Sequence, residues 1–150
     1  MTNIMRKAVP IAVDFLRLSY TGTPGANPIF TLSGSLDNTS ATLSSDEITL
    51  YAGSHWRIEA SQQVLDIAVS DTYYLEIYSI TNSQSVGFGG VMSTSTTIRG
   101  RATACALILS GDISTSETYR IQVIADDGDL TASTDQLDAY GILKIMELPA

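Results

Sequence analysis

The chain has 150 residues, the ordinary size of one domain, and it can bury a core without help from metals or disulfides. Its single cysteine, Cys105, excludes an intrachain disulfide framework, and a net charge of -8 repels phosphate backbones, so nucleic acid is not an expected partner. No apolar run approaches the roughly 18 to 20 residues of a membrane span, and Met1 to Pro10 has no apolar segment like that of a signal peptide, so a soluble protein made in a bacterial or host cytoplasm is expected.

The first stretch pairs two basic residues, Arg6 and Lys7, with a loosely alternating run in which Ile11, Val13 and Phe15 are followed by Leu16, Leu18 and Tyr20. The phase slip near Phe15 suggests a bulge or a short helical turn, and extended chain is the favoured reading. Gly22, Pro24, Gly25 and Pro28 then break helix and sheet alike and read as a hinge. Residues 1–28 are therefore expected to form an N-terminal arm and hinge, and residues 29–150 the main domain. A basic arm on an acidic body suits attachment to a negatively charged lattice, with Arg6 and Lys7 docking and Ile11, Val13 and Phe15 adding to a neighbouring sheet edge. The other reading of the same residues is the first strand of the domain.

The main domain shows a period of two rather than 3.6. Phe30, Leu32 and Leu36, then Ala41 and Leu43, mark short strands. Ile48, Leu50 and Ala52, then Trp56, Ile58 and Ala60, alternate with polar residues and break at Gly53. Tyr73 to Ile80 puts Leu75, Ile77 and Ser79 opposite Tyr74, Glu76 and Tyr78. Gln84 to Thr97 carries Gly87, Gly89 and Gly90, which mark a tight bend or a close backbone approach. Ala102 to Leu109 is nearly all apolar and ends in a Ser110-Gly111-Asp112 turn, and Tyr119 to Ala125 resumes the alternation. Ala139 to Leu148 is apolar on both faces, which predicts a central strand. About eight strands with regular turn signals give an all-β sandwich or jelly roll. Trp56, Tyr140, Ile142 and Ile145 are the candidates for the core or for a subunit interface.

Hydrophobic residues make up 44% of the chain and charged residues 16%, so apolar, weakly charged surface is left over for copies or partners. Catalytic chemistry is largely missing. His55, the sole histidine, lies in a strand beside Trp56 and reads as a cross-strand or interface residue. Cys105, in the most apolar strand, is expected to be buried and unreactive. From Asp127, oxygen side chains stand at calcium-loop spacing through Asp129, Thr131, Ser133, Asp135 and Asp138. Ala132 occupies the position that needs glycine and Asp138 that of the bidentate Glu, so Asp126 to Asp138 reads as a solvated acidic loop. Asn38-Thr39-Ser40 reads as a turn, and the 87–90 glycines lack the Lys of a phosphate loop. No enzyme activity and no cofactor are expected.

From Ile48 to Leu148 the order of features resembles the trimeric jelly rolls of the C1q and tumour-necrosis-factor type, which recur in phage fibres and capsid decoration proteins. The resemblance is carried by Gly53 ahead of His55-Trp56-Arg57-Ile58, by Leu109-Ser110-Gly111-Asp112, by Tyr119 to Ala125, and by Gly141-Ile142-Leu143-Lys144-Ile145. It implies a homotrimer on a virion surface, with the major capsid protein or other virion proteins as partners. The competing expectation is a receptor- or glycan-binding fibre tip presenting Tyr73, Tyr74 and Tyr78.

Overall fold

The computed structural model describes residues 9–19, 29–65, 72–92, 99–125 and 141–150. Within them lie ten strands: β1 (Ala12–Ser19), β2 (Thr31–Ser33), β3 (Ala41–Ser44), β4 (Glu47–Tyr51), β5 (His55–Leu65), β6 (Thr72–Ser79), β7 (Gln84–Met92), β8 (Arg99–Ile108), β9 (Ser116–Ala125) and β10 (Gly141–Leu148). They form two antiparallel sheets of five, in the orders β2-β1-β10-β5-β8 and β3-β4-β9-β6-β7. β10 is the middle strand of its sheet, the place its two apolar faces predicted.

The alternating pattern sends one set of side chains from each sheet into the space between them. Leu16 and Leu18, Trp56, Ile58 and Ala60, and Leu143 and Ile145 come from the first sheet; Ile48, Leu50, Leu75, Ile77, Tyr119, Ile121 and Val123 come from the second. Trp56 is fully buried, and its indole Nε1 donates to the Tyr51 carbonyl at 3.2 Å. Of the two roles predicted for Trp56 and Ile145, both residues take the core. Gly53, with φ of +108°, makes the turn between β4 and β5 where the alternation breaks.

Along one side the two sheets meet without a hydrogen-bonded ladder. A Cβ on Gly89 would stand 1.8 Å from the Thr103 carbonyl oxygen, and one on Gly87 2.3 Å from that of Cys105, so β7 lies directly on the backbone of β8. The glycines serve the close approach that was one of their two expected uses. Ala102, Ala104 and Ala106 fill the inward positions of β8 behind them.

Three expectations need correction. Residues 12–19 are a strand of the sandwich, fixed by a seven-position ladder to β10, and Ile11 N–H also donates to Glu147 O. The first-strand reading therefore describes Ile11, Val13 and Phe15; Arg6, Lys7 and the 22–28 hinge lie outside the described residues. The bulge or helical turn suggested near Phe15 is absent, because the register with β10 is unbroken. The slip arose because Val13 and Phe15 are apolar yet point outward. Cys105 is exposed rather than buried, since the neighbouring alanines hold the inward positions and leave it the outer face.

Candidate functional site

The outer face of the first sheet is a grid set by the register of its strands. Three rows cross β1, β10, β5 and β8: Val13, Met146, Arg57 and Leu107; Phe15, Lys144, Glu59 and Cys105; Arg17, Ile142, Ser61 and Thr103. Phe15 is 62% exposed, Leu107 63% and Ile142 49%, with Val13 also exposed. Strand positions this apolar are ordinarily covered.

Three of the charges on this face, Arg57, Glu59 and Lys144, lie together at its centre. Arg57 Nη2 lies 2.5 Å from Glu59 Oε1 and Lys144 Nζ 3.9 Å from Glu59 Oε2. The Lys144 ammonium also sits 5.9 Å from the centre of the Phe15 ring, within cation–π range. The Arg57 guanidinium is held above its ordinary range, first by a hydrogen bond with the Cys105 side chain and then by Glu59. These groups surround a shallow hollow of about 400 Å³ that also reaches Phe15 and Ile142. The result is an apolar rim around a locally paired centre, an arrangement that favours contact with another surface over holding a small substrate.

Of the residues singled out in the sequence, Phe15, Val13 and Ile142 come together here, whereas Trp56 and Ile145 lie in the core behind them. Tyr140, Arg6, Lys7 and the acidic loop from Asp126 to Asp138 lie outside the described residues. The sequence reading missed Leu107 and the Arg57–Glu59–Lys144 cluster. A signal was present, since Arg57 and Glu59 are two apart on one strand and so share a face.

Elsewhere the polar groups with catalytic potential are engaged in structure. His55 Nδ1 accepts from Ser110 N–H at 2.9 Å, which braces the turn where Leu109 N–H donates to Asp112 Oδ2 and Asp112 N–H to Leu109 O. Two buried carboxylates clamp loops to the sandwich. Glu147 accepts from Ser54 Oγ at 2.5 Å and Asn38 Nδ2 at 2.9 Å, and Glu117 accepts from Ser79 Oγ and Asn82 Nδ2, both at 2.5 Å. Asn38 Oδ1 in turn accepts from Ser40 N–H at 2.7 Å, so Asn38-Thr39-Ser40 is the expected turn. Burial, followed by the nearby Glu117, pushes the Tyr119 hydroxyl well above the usual tyrosine range.

No protein-family model matches the chain, and no curated protein matches it. Solved structures do match. A crystal structure of murine APRIL at pH 8.5 superposes with a TM-score of 0.59 at 6% identity, covering 91% of this chain and all (100%) of that one. A second, at pH 5.0, gives 0.59 at 8% identity with the same coverage of 91% and 100%. The likeness shows the fold: the chain is an all-β jelly roll of the tumour-necrosis-factor type.

Proposed function

We propose that this protein is a non-enzymatic structural module that works as a homotrimer, its subunits meeting through the outer face of β1, β10, β5 and β8. The observation that carries the reading is the uncovered set Val13, Phe15, Leu107 and Ile142 on that face. Removing apolar surface from water is worth about 25 cal/mol per Å², and the paired charges of Arg57, Glu59 and Lys144 reduce the cost of bringing a second surface close. The resemblance to trimeric jelly rolls supports three-fold assembly. That resemblance, with the acidic, weakly charged composition, supports the finer reading: a decoration or head-fibre protein on a bacteriophage particle, bound to its capsid proteins.

Light scattering tests the assembly. The wild-type chain is expected at three chain masses and the Phe15→Glu, Leu107→Glu double variant at one. A wild-type monomer at micromolar concentration would sink the reading. Sedimentation with purified phage particles tests the finer role, and a chain that stays in the supernatant removes it.

A further inference from the structure

The outer face of the second sheet holds a different feature. Glu76, on β6, points outward by its strand position yet is only 4% exposed, and Gln122, beside it on β9, only 5%. A carboxylate on a solvent-facing sheet surface normally stays in water, because burying the charge carries a desolvation penalty. Here the surroundings remove it from water. Phe88, on β7, stands directly opposite Glu76. Tyr74 lies two residues along β6 from it, on the same face, and is paired with Gly90, which has no side chain to fill the space beside it. The two rings meet edge to face, with centroids 6.3 Å apart and planes at 78°.

The anion is held by neighbours that carry only part of a balancing charge. Gln122 Nε2 donates to Glu76 Oε2. Arg120 Nε donates to Gln122 Oε1 at 2.8 Å, and the guanidinium lies 5.0 Å from the centre of the Tyr78 ring. The positive charge of Arg120 thus reaches Glu76 through an amide rather than by direct contact. On the other side of Glu76, a small hollow of about 250 Å³ is lined by Tyr74, Glu76, Ser85 and Phe88. Phe88 is 68% exposed, an unusual investment of aromatic surface.

Two ring walls in a corner with a buried carboxylate at the base match one class of ligand. A methylated or quaternary ammonium group offers a diffuse positive charge for the rings and the carboxylate, and an apolar skin for the walls. The hollow falls below the roughly 300 to 1,000 Å³ of pockets for larger ligands, which suits a single head group. A sugar would need several hydrogen-bonding groups around its rim; among the described residues the lining offers the Ser85 and Tyr74 hydroxyls and a Glu76 carboxylate already engaged by Gln122. We infer that the Tyr74–Phe88–Glu76 corner binds a small organic cation of the choline type.

The test is a titration of the full-length protein with choline chloride, followed by saturation-transfer NMR because the single tryptophan, Trp56, is buried far from solvent. Saturable binding is expected, with the neutral isostere 3,3-dimethylbutan-1-ol weaker by about tenfold or more. Phe88→Ala and Glu76→Gln should each weaken choline by about tenfold or more. Phe88 is exposed, so its variant decides the matter should Glu76→Gln fold poorly. Equal affinity for the neutral isostere, choline binding unchanged in Phe88→Ala, or saturable binding of methyl glucoside that Phe88→Ala abolishes, would each overturn the inference.

Discussion

The outer faces of the two sheets obey the same alternation and end in opposite states. On the first, Leu107 and Phe15 occupy outward positions and remain exposed; on the second, Glu76 and Gln122 occupy outward positions and are buried. Strand periodicity assigns a side chain to a face. Whether that face is wet depends on the neighbours across the strands. The β1–β10–β5–β8 grid shelters Met146 but leaves Phe15, Leu107 and Ile142 exposed, whereas Tyr74, Tyr78 and Phe88 stand around Glu76 and Gln122. The first face leaves its apolar residues to be covered from outside, whereas the second shelters its polar pair beneath rings of which Phe88 itself stays exposed.

Both faces rest on one core, so the sharpest cut is through that core. Trp56→Ala should cost about 3 to 5 kcal/mol, read as a lowered urea midpoint; a cost under about 1 kcal/mol would show that the sheets do not depend on each other. Alkaline pH attacks the same core from the second sheet. The Tyr119 hydroxyl is held above its usual range, so the folded chain keeps a proton that the unfolded chain releases above about pH 10. Stability should be fully present below that pH and fall as pH rises beyond it, and Tyr119→Phe should flatten the fall. An unchanged slope in the variant would assign the loss to other groups.

Two smaller measurements address the faces directly. Glu76→Ala leaves the buried Gln122 amide without its acceptor and should cost about 1 to 3 kcal/mol, while Leu107→Ser, measured where the chain is monomeric, should change stability by less than about 0.5 kcal/mol. Equal costs at the two positions would erase the distinction between the faces. Smallest in energy is the labelling of Cys105, an exposed thiol beside Arg57. It should react with a thiol reagent in the native monomer nearly as fast as in the denatured chain, and more slowly at concentrations where the face is covered.

Much of this architecture was legible in the sequence. The central place of β10 followed from apolar residues on both its faces, the burial of Trp56 from its phase between Gly53 and Ile58, and the turn at Asp112 from its residue types. The orientation of Cys105 was not, because Ala102 to Leu109 is apolar at nearly every position and so carries no phase. Its direction is set by the register of β8 on β5, which pairs Ala104 with the buried Ala60 and Cys105 with the outward Glu59, a contact between residues distant in sequence. The membership of β1 was ambiguous because a hinge-like composition at Gly22 to Pro28 fits either an arm or a long crossover. The candidate face escaped for a related reason: Arg57, Lys144 and Cys105 meet only through the registers of three strands.

The position of β10 also governs how the protein can be made. It is the last described strand in the chain, yet it lies between β1, the first, and β5. During synthesis, β1 and β5 leave the ribosome well before the strand that joins them, and each waits with one side of its backbone unpaired. Until residues 141–148 emerge, the nascent first sheet has no centre, and folding through such distant pairings is slow. A translational pause ahead of Gly141 would prolong the interval in which those open edges can capture one another on neighbouring nascent chains.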